Sequence, residues 1–410
     1  MSQSGLVAAL ASLPGVSAGV LEALRSAAAE SGVVHCALVG GTVRDLLLHR
    51  SELLPWSGVP DFDLVVEGDL PAFVRCLTDH LGPQRLTAMQ WHDSFGTVSL
   101  MVDGVSLDLA MARQELYPSP AENPVVRPGT LASDLVRRDF SINAMALDLR
   151  TDLLIDPHGG QVALSTRSLE FLHPGSVADD PTRVIRAARY SARLGLDLSE
   201  ESQSQLVRTL HGWPWPRDPV GSVWPPALST RLRMELDRLF SNEPWRGALD
   251  QLSGWEAMPL IDPELQVDPR RRHRLRQAQR LGLPLMPAWL AAASQPVAVA
   301  ERLQIPAQQV QWLMGLETLR LWLRDAAPSD AAPPSQWTVA LETGDWPVQS
   351  VALLICLHHP SWRMLWRWWA RWRHIQSPVK AQDLMAQGWS PGPGLGAELR
   401  RRRGQALDGG

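Results

Sequence analysis

Asp61-Phe62-Asp63 sets two carboxylates two residues apart. On a strand, residues i and i+2 point to the same side, so the two acids stand together while Phe62 turns into a core. Like charges this close repel each other unless a cation shares them. Magnesium takes hard oxygen ligands, often one or two carboxylates together with substrate phosphates. A third acid, Asp108, falls on the polar side of a segment whose other side reads Val105, Leu107, Leu109 and Met111. If that segment lies beside the Asp61 strand, Asp61, Asp63 and Asp108 form a set able to hold two magnesium ions. In such a pair one ion activates an attacking hydroxyl and the other stabilises the leaving group.

Groups that bind anions flank these acids. Gly40-Gly41 separates an apolar run from a helical pattern, and glycine lets backbone N–H groups approach a phosphate closely. Arg44, one turn further on, can reach a triphosphate. The segment carries neither the Gly-Lys-Ser/Thr of a phosphate-binding loop nor a dinucleotide-binding glycine pattern. Arg137-Arg138-Asp139-Phe140-Ser141-Ile142-Asn143 embeds polar groups in an apolar stretch. Asp139 and Asn143, four apart, are placed to share a helix face, and a ribose and triphosphate would satisfy them. Asp179 and Asp180 precede a helix on which Arg183, Arg186, Arg189 and Arg193 form one cationic stripe. Asp180 and Arg183 together offer acceptors and donors suited to the Watson–Crick edge of a base.

The elements that must position these groups follow from periodicity. Residues 1–30 read as one or two Ala/Leu-rich helices. Val33 to Val39 reads as a strand, and Thr42 can cap the helix after it. Asp61 to Val66 is a second strand, and Phe73 to Leu81 a helix. Thr97–Val102 and Val105–Met111 flank Asp103-Gly104, a strong hairpin signal. Beyond about residue 150 strand patterns fade. Helical patterns follow, broken by Trp213-Pro214-Trp215-Pro216 and Trp224-Pro225-Pro226, and residues 326–336 read as a linker. The expected fold is an α+β head, a mixed sheet with helices, followed by an all-α remainder. Its divisions are expected at 1–150 for the head, 151–245 for a helical neck and 246–410 for a helical body and tail.

Bulk properties narrow the class. A 410-residue chain with a net charge of −4 carries no global signature of polyanion binding, so any nucleic-acid site is a local arginine patch. The three cysteines, Cys36, Cys76 and Cys356, lie far apart with no CxxC, which argues against a disulfide framework or structural zinc. The sequence shows no signal-peptide pattern and no apolar run of membrane-spanning length, so a cytoplasmic protein without a membrane partner is expected. Oligomeric state is not legible.

Taken in order, the segments resemble the class II tRNA nucleotidyltransferase (CCA-adding enzyme) and bacterial poly(A) polymerase family. The resemblance rests on Leu38–Asp45, Asp61–Gly68, Phe95-Gly96-Thr97, Leu107–Ala110, Arg137–Ala146, Asp156-Pro157-His158-Gly159-Gly160 and Asp180-Pro181-Thr182-Arg183, together about residues 35–195. It implies template-independent addition of CC, A or CCA to the 3′ end of tRNA from CTP and ATP. It implies two metals on Asp61, Asp63 and Asp108. A triphosphate would be held by Gly40, Gly41 and Arg44, with ribose and phosphate contacts from Arg137, Arg138, Asp139 and Asn143. Base selection would fall to Asp179, Asp180, Arg183, Arg186 and Arg189. RNA contacts would come from Arg193 and from a tail, Gly388 to Gly396 followed by Arg400 to Arg403, with Gly394 and Arg400 foremost. Related readings are a poly(A) polymerase acting on other RNAs and a catalytically inactive RNA-binding protein; the intact acid set speaks against the latter.

The chain departs from the family at one helix. The pattern Glu-Arg-x-x-x-Glu reads here Thr230-Arg231-Leu232-Arg233-Met234-Glu235. Two features fall outside the reading. His92-Asp93 lacks the further histidines of a metal-dependent phosphohydrolase. Sixteen of the 18 tryptophans lie after residue 210, and the cluster Trp366, Trp368, Trp369 and Trp372 is expected to build a helical core rather than stack on bases.

Overall fold

The computed structural model describes residues 5–56, 58, 61–92, 96–212 and 226–409. The Trp-Pro breaks at 213–216 and 224–225, together with Asp93 and Phe95, lie outside the described residues. The elements in order are α1 (Leu6–Ala11), α2 (Ala18–Glu30), β1 (His35–Val39), α3 (Gly41–Arg50), β2 (Phe62–Glu67), α4 (Leu70–Leu81), β3 (Leu86–His92), β4 (Thr97–Val102) and β5 (Val105–Met111). They continue as β6 (Arg113–Leu116), β7 (Val125–Pro128), α5 (Leu131–Val136), β8 (Ala146–Asp148), β9 (Leu153–Ile155), α6 (Gly160–Ser165), α7 (Ser176–Asp179) and α8 (Thr182–Leu194).

Seven strands form one sheet in the order β3-β4-β5-β2-β1-β8-β9. Only β2 and β5 run parallel; the other neighbours are antiparallel. β2 lies mid-sheet, and Phe62, Leu64, Val65 and Val66 are all buried, as expected of a strand covered on both faces. Asp63 interrupts that run and is exposed. Between β4 and β5, Asp103 and Gly104 take φ of 51° and 79°, the double positive-φ turn that matches strand twist. Strands β8 and β9 carry the sheet past residue 150, to Ile155.

Three local expectations are corrected. Thr42 is not the cap of α3; Gly40 precedes the helix, and Thr42 lies in its first turn, donating to the Asp61 carbonyl at 3.1 Å. Asp139 and Asn143 do not share an α-helix face. α5 ends at Val136, Phe140 is extended, and Ser141–Asn143 makes a single 3₁₀ turn. The turn is wedged against α6: Asp156 caps α6 through Gly160 N at 2.6 Å, and a Cβ on Gly160 would meet the Ser141 carbonyl at 2.5 Å. The paired glycines of that segment therefore allow a close approach that props the arginine-bearing loop. Finally, the supposed linker gives way to helix within its span, because Pro334–Thr343 is helical.

The chain divides into two compact units. The first comprises the described residues up to 212 together with 226–228 and Glu243–Trp255, and includes the sheet. The second comprises Ser229–Asn242 and the residues from Glu256 onward, and among its described residues only helices and turns occur. Its interior is built partly on tryptophan: Trp289, Trp337 and Trp368 are fully buried. No helix among the described residues is long and apolar enough to cross a membrane. All three cysteines are unpaired, and burial pushes the Cys356 thiol up to about 12.

Candidate active site

The parallel register of β2 on β5 makes Asp63 and Asp108 direct neighbours. Paired residues on adjacent strands, roughly 4.8 Å apart, point to the same face. Ser99 on β4 is the antiparallel partner of Asp108 and donates its hydroxyl to it at 2.5 Å. One row therefore crosses the sheet as Ser99, Asp108, Asp63. Asp61 stands one residue before β2, on the same side as Asp63 by strand alternation. The protein packed around Asp63 desolvates it, although its tip is open, and Asp108 and Asp61 repel it. Together these raise its pKa above the ordinary carboxylate range against the pull of Arg138.

Among the described residues, no group of three or more His, Cys, Asp or Glu side chains is drawn together into a ready metal cage. The donors present suit a cation that completes its shell elsewhere. Two aligned carboxylates and a third nearby are hard oxygen ligands whose mutual repulsion a divalent ion relieves, and magnesium characteristically takes its remaining ligands from phosphate and water. The site fits magnesium in that sense.

Two cavities meet at Asp63. One, of about 380 Å³, is lined by Asp63, Asp108, Ser99, Thr97 and Arg113; the other, of about 310 Å³, by Gly40, Gly41, Asp139, Asn143, Asp180, Arg183, Arg186 and Tyr190. Asp63, Arg137 and Arg138 line both. The acid row thus sits where an acceptor on one side would face a bound anion on the other.

Gly40 forms the lip. Its φ of 67° and ψ of −130° are strained for any residue with a Cβ, and such a carbon would stand 3.4 Å from Arg138 Nη1 and 3.8 Å from Asp63 Oδ2. Gly40→Ala is expected to cost about 1–3 kcal/mol of stability and to weaken nucleotide binding more than it lowers the melting cooperativity. Denaturant titration alongside nucleotide binding checks this, and wild-type values in both would contradict it.

The cationic rim is set from behind by acids that the sequence reading missed. Asp134, fully buried at the end of α5, accepts from Arg137 Nη2 at 2.7 Å and from Arg138 Nη2 at 2.9 Å, at spacings of three and four residues. Glu115 accepts from Arg137 at 3.1 Å and from Arg113 at 2.9 Å. Glu67, at the end of β2, caps α5 through Leu131 N at 2.6 Å. The spacing of Asp134 from two arginines on a helical segment was a readable signal. The partnership of Glu115 and Arg137, 22 residues apart across a hairpin, was not.

Asp139 does meet Asn143, at 3.0 Å across the 3₁₀ turn, and it also accepts from Arg186 Nε at 2.8 Å. Burial pushes its carboxyl up, but Arg186 and Asn143 outweigh burial and hold it below the ordinary range. A depressed carboxyl adds stability that is present above the unfolded pKa, near 4, and is lost as pH falls through the folded value. Asp139→Asn is therefore expected to flatten the loss of stability below about pH 4, measured as unfolding midpoint against pH. An unchanged acid limb would contradict the pairing.

The arginine stripe of α8 is largely engaged within the chain. Arg183, buried, donates to the Arg137 carbonyl at 2.7 Å and to the Ser176 carbonyl at 3.3 Å. Arg189 and Arg193 both donate to Glu243, at 2.8 and 3.0 Å. Arg44 donates to Asp45 and to Asn143, at 2.7 and 2.8 Å, and is buried behind the cavity wall. Asp180 accepts from Thr182 N and Oγ1 at the start of α8. Tyr190, also missed, is ringed by the guanidinium carbons of Arg193, Arg44 and Arg186 at 5.1, 5.3 and 5.9 Å from its ring centre. Of the residues singled out from sequence, the cavities gather Gly40, Gly41, Asp63, Asp108, Arg137, Arg138, Asp139, Asn143, Asp180, Arg183 and Arg186. Arg44, Arg189 and Arg193 stand behind or beside them. Gly394 and Arg400 belong to the second unit and are both exposed, Gly394 at the start and Arg400 in the middle of the helix Pro393–Asp408. Arg401, Arg402 and Arg403 are paired there with Glu398 and Glu342. Thr230, where the family pattern has Glu, donates to Gln304 at 2.9 Å.

Sheet, acid row and cationic rim define a nucleotidyltransferase head, and residues 36–170 match the poly(A) polymerase head domain. The chain is 37% identical over 282 residues to the CC-adding tRNA nucleotidyltransferase of Deinococcus radiodurans, covering 66% of this chain and 67% of that protein. It is 37% identical over 177 residues to the A-adding tRNA nucleotidyltransferase of Aquifex aeolicus, covering 42% of this chain but 20% of that larger protein. The Thermotoga maritima CCA-adding enzyme, solved in complex with tRNA, shares the fold with a TM-score of 0.71 at 21% identity, over 99% of this chain and 95% of that one. The chain belongs to the class II tRNA nucleotidyltransferase (CCA-adding enzyme) and bacterial poly(A) polymerase family.

Proposed function

We propose that this protein extends the 3′ end of tRNA without a template, adding CC, A or CCA from CTP and ATP. The reading is carried by the register that sets Asp63 beside Asp108 at the junction of two cavities, both rimmed by arginine. The relatives, CC-adding and A-adding enzymes, support the substrate class.

In this reading the terminal ribose enters beside Asp108 and Ser99, and the nucleoside triphosphate lies against Gly40, Gly41, Arg137 and Arg138. The 3′-hydroxyl gives up its proton to water, its oxygen bonds to the α-phosphorus, and the bond from that phosphorus to the bridging oxygen breaks to release pyrophosphate. Two magnesium ions on Asp61, Asp63 and Asp108 would supply Lewis-acid activation of the hydroxyl and charge neutralisation at the leaving group. Arg137 and Arg138, held by Asp134, orient the phosphates. Asp139 and Asn143 fix the sugar, with Arg44 securing Asn143. Asp180, Arg183 and Arg186 present hydrogen-bonding groups to the base, and Arg189 and Arg193 secure α8 through Glu243, Arg193 at the edge nearest RNA. Residues 1–150 act as the head and 151–245 as the base-reading neck. Residues 246–410 act as an RNA-binding body and tail, with Gly394 and Arg400 at phosphates. The cytoplasm is the setting.

The test is incubation of the protein and Mg²⁺ with tRNA lacking its terminal CCA, supplying CTP and ATP separately and together. Extension that stops after a defined number of nucleotides is expected. Absence of extension, or an unlimited A tail, would overturn the reading. Arg183→Ala is expected to shift the ratio of C to A incorporation about tenfold, the loss of one charge-assisted hydrogen bond of roughly 1.5 kcal/mol. An unaltered ratio would remove Arg183 from base selection.

A further inference from the structure

A third cavity, of about 350 Å³, lies within the second unit between the helices Arg271–Arg280 and Trp362–Ala370. Each helix offers it a row at four-residue spacing, the spacing that puts side chains on one helix face. From the first helix come Arg276 with Arg280, and His273 with Gln277; from the second come Trp362 with Trp366. Among the described residues no acidic side chain lines it. Arg276 and Arg280 are exposed, and Trp366 is 40% exposed although its neighbour Trp368 is fully buried in the core.

The tryptophan cluster therefore divides. Trp368 and Trp372 build the interior, as the sequence suggested, while Trp366 lines the cavity together with Trp362. Trp362 is stiffened from behind, stacked on His358 with ring centres 4.8 Å apart and planes 21° apart; His358 in turn meets His273 edge-on at 5.9 Å. An aromatic surface held rigid beside paired cations is costly to expose unless something covers it. Gln277 also lines the cavity, but its side-chain oxygen is buried away from that space.

A flat aromatic face beside two cations suits a nucleotide, with stacking for the base and charge for the phosphate. We propose that this cavity binds one unpaired nucleotide of the RNA substrate, with its base on Trp366 and its flanking phosphates on Arg276 and Arg280. The proposal rests on the RNA reading above.

The test uses the full chain and fluorescence anisotropy with two RNAs, a tRNA lacking its CCA and a fully base-paired RNA duplex. Trp366→Ala is expected to weaken the tRNA about tenfold, as loss of one stacked base does. The duplex should bind as before, and Trp366→Phe should restore most of the tRNA affinity. Arg276→Ala/Arg280→Ala is expected to reduce the salt dependence of tRNA binding by roughly one to two counterions. Equal losses on both RNAs would make the surface a backbone contact and overturn the nucleotide site. Unchanged tRNA affinity in both variants would overturn it as well. Nucleotide addition by the wild-type protein, run in parallel, separates the two proposals. No addition at all removes the RNA reading, whereas normal addition with unchanged variant affinity removes only this site.

Discussion

Asp63→Ala is expected to lower nucleotide transfer at least about a thousandfold, because several kilocalories per mole of charge stabilisation leave with the side chain at tenfold per 1.36 kcal/mol. The expectation follows from its position. Asp63 is the one acid that lines both cavities, and it is repelled by Asp108 and Asp61 while Arg138 draws on it from the rim. Removing it relieves repulsion in the protein without cation, so the fold should be at least as stable. Loss of activity with an unchanged or raised unfolding midpoint is the signature. A variant that retains full transfer, or that loses activity only by unfolding, would contradict the assignment.

Asp134→Ala is expected to act in the opposite way, chiefly through structure. The carboxylate is fully buried and holds both Arg137 and Arg138. Removing one partner of a buried ion pair leaves an uncompensated charge and costs about 3–5 kcal/mol. The two arginines keep some access to solvent, so the lower end is expected. Where the variant folds at low temperature, the Michaelis constant for the nucleotide should rise more than the turnover falls, because the rim arginines lose their aim. Asp134→Asn, which keeps the shape and part of the hydrogen bonding, should recover part of both. An Ala variant with wild-type stability and nucleotide affinity would show that Glu115 and Asp63 suffice to hold the rim.

Local chemistry was legible in the sequence, and distant pairing was not. Alternation around Asp108 and the Asp-x-Asp pattern disclosed which face carries the acids, because strand periodicity needs only neighbours in sequence. The Asp103-Gly104 turn disclosed the hairpin for the same reason. The cationic stripe of α8 was visible, yet its partners were not. Glu243 lies 54 residues from Arg189, and nothing in the local pattern announces that a single carboxylate absorbs two of the four arginines. The inference that the whole stripe awaits an anion therefore overcounted its free charge. The helix face expected to carry Asp139 and Asn143 did not form because the packing of Gly160 against Ser141 and the Asp139–Arg186 pair hold the chain in a turn, and tertiary contacts override a short propensity signal. The tryptophan cluster was half legible: its periodicity suggested a core, but only the fold separates the buried Trp368 from the exposed Trp366.

The proposed chemistry requires the acid row to hold divalent cations at the junction of the two cavities. The most direct measurement is anomalous scattering from crystals soaked with Mn²⁺ and a non-hydrolysable CTP analogue. Manganese peaks are predicted against the carboxylates of Asp63 and Asp108, with Asp61 completing the set and the triphosphate along Arg137 and Arg138. A well-ordered nucleotide with no metal at Asp63, or metal bound only elsewhere on the chain, would contradict the account.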